Sequence, residues 1–256
     1  MGHIYLGVLP TSKKWQEVVA LISDGAADTA VIAASARAAE KDLLSAAYDP
    51  VFVEAVRLLA ILPVAARDEG FGQSLRDFDL PCRNAPDVFG IVLAMGSRLD
   101  DLARQAPRQN DFRELARRAL LSTVTAYLGD RTPGLISPTP EDVHRAARQL
   151  SAPREFSAYA RGFFTRLLGE TLRYWLDREL ANHTGPDQRF ANARSRTEFD
   201  HALMQYSMEA SRIMKEFAAG WFAKNVYRDG AVTSETAASF GAVAFRKISE
   251  EMRLKL

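Results

Sequence analysis

Near the end of this chain, apolar residues recur at alternating intervals of four and three positions, and this seam constrains the fold more than any other feature. Its members are Phe199, Leu203, Tyr206, Ala210, Ile213 and Phe217. An α-helix with this spacing presents one apolar stripe to a partner helix. The seam therefore predicts a long helix from Thr197 to about Tyr227.

A second long helix is predicted just before the seam. From Pro153 to about Asn182 the chain is rich in aromatic residues at helical spacing, and Gly185-Pro186 ends this stretch. The connection between the two helices is roughly a dozen residues long, so antiparallel packing is the simplest arrangement. We therefore predict an all-α, multi-helix bundle with two long antiparallel helices in its C-terminal half.

Shorter helices are predicted in the N-terminal half, where one begins at Pro50 and is ended or kinked by Pro63. Residues 67–86 are predicted to be irregular because their glycines and prolines, Gly72 and Pro81 among them, fall close together. A Pro/Gly/Ser/Thr-rich stretch at 129–140 is the best candidate for a division between two helical layers. The prediction for 1–256 is a single all-helical domain.

The N-terminus carries a short strand pattern. Ile4, Leu6 and Val8 alternate with more polar positions, as in a half-buried strand. One strand leaves its backbone hydrogen bonds unpaired, and no second strand is evident nearby. We expect a short extended arm or strand that lies on the helices, with Tyr5 as a candidate interface residue.

Composition and charge point to a cytoplasmic protein with no bias toward anionic partners. The net charge is +1, so no global field attracts nucleic acid or membrane. Arginine supplies 26 of the 33 basic residues, which with abundant alanine is typical of a GC-rich bacterial genome. Cys82 is the single cysteine, which excludes an internal disulfide. No targeting segment or membrane span is predicted.

No cofactor or metal site is predicted from the motifs. The chain lacks the glycine-rich phosphate loops and the Gly-x-Ser-x-Gly elbow of serine hydrolases. Glu-x-x-His occurs twice, at Glu141/His144 and Glu198/His201, with the spacing that di-iron helical bundles use. His201 lies away from the apolar seam, and Glu141 is explained by a helix start.

Two arginine–histidine pairs are candidate catalytic residues. Arg178 and His183 are separated by four residues, and so are Arg196 and His201. This spacing resembles the Arg/His motif of the all-helical HEPN ribonucleases. The resemblance implies that Arg178 or Arg196 stabilises a phosphate and that His183 or His201 transfers protons, without a metal. The alternative interpretation is a charged, solvated surface, since arginine makes up about a tenth of the chain.

Arginines also cluster between the two long helices. Arg189, Arg194 and Arg196 lie close to Phe190. Basic side chains beside an aromatic ring can follow a phosphate backbone and stack a base. These four residues are therefore the candidate nucleic-acid contacts, and the alternative is a charged surface with mixed partners.

The aromatic pair Trp221-Phe222 follows the seam. Adjacent residues on a helix cannot point the same way, so one of them faces a second layer or a partner chain. With no catalytic signature specific enough to name a reaction, we expect a non-catalytic helical interaction subunit of a bacterial cytosolic complex, which binds a protein partner or itself. The alternatives are a HEPN-like ribonuclease of a defence or toxin system and an adaptor that binds RNA or DNA.

Overall fold

The computed structural model describes residues 9–106, 110–131, 138–228 and 232–254, with the backbone alone for 226–228. Regular structure in these ranges is helical, apart from an isolated bridge between Thr184 and Phe190. The all-α prediction is therefore confirmed for the described part of the chain. The predicted N-terminal strand, with Tyr5, lies outside the described residues, as do residues 132–137 of the predicted division near 129–140.

The helices follow one another along the chain with short connections. They are α1 (Lys13–Ser23), α2 (Asp28–Ala46), α3 (Pro50–Ala65), α4 (Phe71–Asp77), α5 (Val88–Gln105), α6 (Asp111–Gly129), α7 (Pro140–Gln149), α8 (Pro153–Leu180), α9 (Ala193–Ala210), α10 (Met214–Phe222) and α11 (Ser234–Leu254). Tighter 3-10 turns follow α8 and α9, at Ala181–His183 and Ser211–Ile213, and a wider π-helical segment, Ala223–Arg228, follows α10. None of the described helices is both long and apolar enough to cross a membrane.

Side-chain caps define where several helices begin. The carboxylate of Asp49 accepts a hydrogen bond from the Val51 backbone at 2.9 Å, with Pro50 in the first turn of α3. Thr139 and Asp142 cap the start of α7 reciprocally, each side chain bonding to the other residue's backbone N–H. Such a cap contributes about 1 kcal/mol, so these helix starts are determined locally.

Helix α3 lies at the centre of the hydrophobic core, and 12 of its 16 residues are buried. It packs against α5, α6, α7 and α11. Its Phe52 ring stacks on Phe245 of α11 with centroids 4.9 Å apart. Helix α11 comes this close because Gly241 faces the same ring, where a Cβ would lie 2.6 Å from a carbon of Phe52. Helix α3 does not end at Pro63 but continues to Ala65.

Helix α8 and the segment α9–α10 run in opposite directions. At one end, Phe156 of α8 stacks on Phe222 of α10 with ring centroids 4.0 Å apart. At the other end, Asp177 near the close of α8 accepts a hydrogen bond from Arg196 in the first turn of α9. Within the chain, Phe199, Leu203 and Ala210 of the seam are fully buried, whereas Tyr206, Ile213 and Phe217 are half-buried. Phe217 stacks on Phe240 of α11 with ring centroids 5.2 Å apart.

The seam does not lie on one uninterrupted helix, which corrects the sequence prediction for Thr197 to about Tyr227. A 3-10 turn separates α9 from α10, and the Ser211 hydroxyl there donates to the Met208 carbonyl at 3.1 Å and bonds the Thr165 hydroxyl at 2.5 Å. A serine side chain that bonds nearby backbone competes with regular helix geometry. The spacing of apolar residues predicts only which side of a helix faces the core. It therefore does not predict the 3-10 turn between α9 and α10.

Residues 67–86 contain a helix that the sequence analysis did not predict. Helix α4 forms there although Gly72 lies inside it. The glycine is required by close packing, since a Cβ at Gly72 would lie 2.0 Å from the Arg83 carbonyl oxygen. The Arg76 guanidinium donates to the Cys82 carbonyl at 2.6 Å and draws the following loop onto α4. The glycine-rich composition therefore led to a wrong prediction for α4, because Gly72 is needed for close packing and does not break the helix.

Candidate functional site

The first predicted catalytic pair, Arg178 and His183, lies at the C-terminal end of α8. The buried guanidinium of Arg178 lies 4.2 Å from the Tyr174 ring centroid and donates a hydrogen bond to the Tyr174 hydroxyl. The Tyr174 hydroxyl in turn donates to the carboxylate of Asp111. His183 Nε2 lies 3.0 Å from Oε1 of Glu179. Each member of the pair thus bonds a residue four positions earlier, and no hydrogen bond joins the two within the described residues.

A cavity of about 580 Å³ lies beside this pair and is lined in part by Tyr174, Trp175 and Asp111. Burial and the hydrogen bond to Asp111 raise the pKa of Tyr174 to about 12, so the phenol stays protonated at neutral pH. The lining of the cavity includes neither Arg178 nor His183. A catalytic role for these two residues stays a prediction.

The second predicted pair, Arg196 and His201, is on α9. The Arg196 guanidinium donates to Asp177 and lies 3.3 Å from Oδ1 of Asp200. Burial opposes its charge, but the two aspartates outweigh burial and hold the pKa of Arg196 above its ordinary value. His201 is exposed on α9 and makes no hydrogen bond within the ranges that the structure describes. Arg196 is thus neutralised by protein carboxylates, and the catalytic role stays a prediction.

The other predicted nucleic-acid contacts also form ion pairs. Arg189 is in the connector, residues 184–192, and its buried side chain donates to Asp28 of α2 at 2.6 Å. Arg194 is exposed at the start of α9 and donates to Glu198 at 2.9 Å. We refer to Arg189, Arg194 and Arg196 as the connector arginines. Their positive charge is balanced within the protein.

Phe190, predicted to stack on a base, anchors the connector in the core. Its side chain is 2% exposed and packs edge-on against Phe199 with ring centroids 5.6 Å apart. Its backbone donates to the His183 carbonyl and accepts from the Gly185 N–H, both at 3.0 Å. Because the ring is enclosed, it offers no surface on which a base could stack in this conformation.

Trp221 and Phe222, the predicted interface aromatics, diverge as adjacent helical residues must. Phe222 is fully buried against Phe156 of α8. Trp221 is half-buried and stacks on Phe240 of α11 with centroids 4.3 Å apart. Both rings therefore pack within this chain, and an additional role for Trp221 in an interface stays a prediction.

The described residues contain no group of three or more His, Cys, Asp or Glu side chains placed to hold a metal ion. His144 has a structural environment, since its Nε2 lies 2.9 Å from the Ala66 carbonyl oxygen and its ring stacks on Phe71 at 5.0 Å. Burial raises the pKa of the Cys82 thiol, against the lowering effect of Arg76, so the thiol stays protonated at neutral pH.

An apolar groove that the sequence analysis did not identify lies between the loop 81–86 and the first turns of α5. Its cavity volume is about 540 Å³, and its lining includes Pro81, Pro86, Phe89, Leu93 and Pro140. We refer to it as the apolar groove. Its proline-rich wall is held in place by α4, through the Arg76 contact to the loop described above. The groove is therefore backed by rigid elements.

Phe89 and Leu93 form one edge of the apolar groove and are strongly exposed, at 73% and 60%. They lie four positions apart on one face of α5, whereas the core face carries Ile91, Met95 and Leu99, all fully buried. The core therefore does not need either side chain. The signal was present in the sequence, because two large apolar residues at helical spacing lie off the core stripe.

Comparisons with known proteins add no relative: no protein-family model, no curated protein and no solved structure matches this chain.

Proposed function

We propose that this chain is a non-catalytic interaction subunit of a bacterial cytosolic complex and that it pairs with a second copy of itself through the apolar groove. The observation that carries the proposal is the exposure of Phe89 and Leu93 at the edge of the apolar groove. Fully burying such a side chain contributes about 1.5–3 kcal/mol, which a partner surface would recover. Exposed apolar patches with this character mark interaction sites in soluble proteins.

The shape of this surface favours a second copy as the partner. The projecting side chains, Phe89 and Leu93, lie directly beside the concave wall at Pro81 and Pro86. In a twofold pair the same patch is used by both subunits, so the projections of one copy can enter the groove of the other. A surface that carries both a projection and a recess is suited to such self-complementary packing.

The charges along the rim agree with this arrangement. Arg83 and Asp87 are exposed on the lining of the groove, and Arg83 has no ion pair with any described carboxylate. Asp87 Oδ1 is already bonded to the Gly90 N–H at 2.6 Å. In a twofold pair, Arg83 of one copy can lie against Asp87 of the other, and such a pair of opposite charges would favour one register.

The test is the mass of the purified protein in solution, measured by light scattering and sedimentation over a wide range of concentrations. We expect the wild-type chain to form a dimer and the variant Phe89→Asp/Leu93→Asp to be a monomer with unchanged helix content. Tyr48→Asp is the matched control, because Tyr48 is equally exposed, at 72%, but lies outside the apolar groove. It should retain the dimer.

Two outcomes would overturn self-association through this surface. One is a wild-type chain that stays monomeric at every concentration. The other is a dimer that the Phe89→Asp/Leu93→Asp variant forms as readily as the wild type.

A further inference from the structure

A second groove lies on another part of the surface, between α6, α8 and the junction of α9 with α10. Its cavity volume is about 550 Å³, within the range of small-molecule sites. Its lining includes the cations Arg161, Arg166 and Lys215, together with the Tyr127 ring and the thioether of Met208. We refer to it as the basic groove.

The basic groove concentrates positive charge, which is offset in part by Glu170, a carboxylate outside the lining that interacts electrostatically with Arg166. None of the residues that line it is an aspartate or glutamate. Across the ranges that the structure describes, Arg161, Arg166 and Lys215 form no ion pair within 4.0 Å of a carboxylate. Like charges held together without counterions raise the free energy of the empty protein, and a bound anion relieves that repulsion.

Acidic residues near the groove already have other partners. Glu155 accepts from Arg131 at 2.7 Å, and Glu170 lies 3.5 Å from Arg118. Two arginines that flank the groove, Arg118 and Arg131, are therefore paired with glutamates. The excess of positive charge is confined to one concave region instead of extending along the molecule.

Hydrogen bonds hold one wall of the basic groove in place. Nη2 of Arg161 donates to the Met208 carbonyl at 2.7 Å and so ties α8 to the end of α9. Its buried Nε has no hydrogen-bond partner among the described residues. Nη1 of Arg166 lies 3.3 Å from the Gly162 carbonyl. The two guanidinium groups are thus positioned before any ligand arrives, and Arg161 keeps an N–H donor unused.

The aromatic floor of the groove is equally well fixed. The Tyr127 hydroxyl donates to the Ala158 carbonyl at 2.6 Å. Its ring lies directly over Gly162, where a Cβ would come within 2.7 Å of a ring carbon. Burial raises the pKa of the Tyr127 phenol, against the charges of Arg166 and Arg161, so the floor adds no negative charge at neutral pH.

We propose that the basic groove binds a small phosphorylated organic molecule of the nucleoside diphosphate class. The guanidinium groups of Arg161 and Arg166 match the oxygens of a phosphate, and Lys215 supplies a further point charge. The Tyr127 ring and the Met204 and Met208 side chains supply apolar and polarisable surface for the organic part of the ligand.

The extent of the charge favours a small ligand over a nucleic-acid polymer. A polymer would need basic side chains along a continuous track, and its binding would gain from an overall positive charge. Here the net charge is +1, and the flanking arginines Arg118 and Arg131 are paired with glutamates. The groove itself has room for one compact ligand.

The test is isothermal titration calorimetry of the full chain with ADP, pyrophosphate, adenosine and a short single-stranded RNA, at low and at moderate salt. We expect ADP and pyrophosphate to bind, more weakly at the higher salt concentration, and adenosine to show no binding. The variant Arg166→Gln/Lys215→Gln should weaken ADP binding by about 10- to 100-fold, because two charge-assisted contacts are lost.

The matched control is Lys41→Gln/Arg246→Gln, which removes the same two charges from exposed positions outside the groove. It should bind ADP within about twofold of the wild type. Arg166→Lys is a second variant that keeps the charge and loses the planar fork, and it should show an intermediate affinity. Thermal unfolding of each variant checks that the fold is retained.

Several results would overturn the proposal. They are the absence of ADP and pyrophosphate binding up to about 5 mM, above the range of weak affinities; equal binding by the wild type and Arg166→Gln/Lys215→Gln; and adenosine binding as tight as that of ADP. Binding of the RNA without binding of ADP or pyrophosphate would overturn the proposal of a small ligand and would indicate that the groove binds a nucleic-acid polymer. None of these results depends on whether the chain forms a dimer.

Discussion

The connector arginines and the cations of the basic groove carry the same formal charge, yet the protein treats them in opposite ways. Each connector arginine forms an ion pair with an aspartate or a glutamate. No such pair is made by the three cations of the basic groove in the described part of the chain. Arginine density along a sequence therefore does not measure free positive charge, which depends on the distance to the nearest carboxylate.

This difference indicates that the connector arginines stabilise the fold, whereas the cations of the basic groove are available to bind a ligand. Arg189 fastens the connector to α2, and Arg196 ties the start of α9 to α8 beside the buried Phe190 ring. In the basic groove, removal of a cation breaks no ion pair with a described carboxylate. Mutations in the connector should therefore change the stability of the fold, and mutations in the basic groove should change ligand binding.

The largest expected effect is at the hydrophobic anchor of the connector. Phe190→Ala should lower the free energy of unfolding by about 3–5 kcal/mol, because it leaves a cavity against Phe199. Urea denaturation measures this change. Tyr48→Ala is the control, since that tyrosine is exposed and lies outside the apolar groove, and it should cost less than about 0.5 kcal/mol. Equal effects at the two positions would break the structural assignment of the connector.

A buried ion-pair cluster extends the comparison to the core. Glu54 accepts from Arg57 at 2.7 Å and from Arg98 at 3.0 Å. Burial raises the pKa of Glu54, but the two arginines outweigh burial and hold it below its ordinary value. Glu54→Gln should cost about 3 kcal/mol at neutral pH, because it leaves two guanidinium groups without a charged partner.

The lowered pKa of Glu54 also gives the sign of the pH dependence. A carboxylate whose pKa is lower in the folded state stabilises the protein fully above its ordinary value of 4.5, and the contribution is lost as the pH falls through the folded pKa. Unfolding free energies of wild type and Glu54→Gln should therefore converge below pH 4.5. A difference that stays constant into acid would contradict this account.

A smaller effect is expected at the buried connector arginine. Arg189→Gln should lower the unfolding free energy by about 1–2 kcal/mol, because the half-exposed Asp28 then loses its charged partner and solvent replaces only part of the interaction. Arg194→Gln is the matched control, an ion pair on the open surface that should cost about 0.5 kcal/mol or less. Chemical denaturation of the two variants compares their unfolding free energies and so measures how much burial strengthens an ion pair.

The smallest effect on stability is expected in the basic groove. Arg166→Gln/Lys215→Gln should change the unfolding free energy by no more than about 0.5 kcal/mol, since no direct ion pair is lost and Glu170 keeps its pair with Arg118. Thermal denaturation without added ligand measures it. A loss as large as that of Arg189→Gln would mean that the groove cations are neutralised inside the protein, and the contrast between the two regions would fail.

Local features of the sequence predicted much of the fold. Pro153 and the aromatic spacing after it identified α8, and Pro50 marked the start of α3. The seam identified the helical segment that pairs with α8, but not its interruption at Ser211. Helix α4 was missed because Gly72 is explained by the Arg83 backbone pressed against it, a contact that the sequence does not show.

The candidate sites were less accessible to sequence reasoning. Phe89 and Leu93 could have been found, because their spacing places them off the core stripe of α5. The basic groove could not, because Tyr127, Arg161 and Lys215 belong to three different helices. Only the antiparallel packing of α8 with α9–α10, and the docking of α6 beside them, brings these side chains to one surface.

By itself, the sequence determined the helical class and the starts of α3 and α8, since caps and periodicity act within a few positions of each residue. Ion pairs between residues three or four positions apart, such as Arg194 with Glu198, follow helical spacing, but the long-range ion pairs were decided by the tertiary structure alone. The partner of Arg189 lies 161 positions away, and that of Arg253 lies 213 positions away. Coulomb interactions depend on distance in space, and no local pattern in the chain encodes that distance.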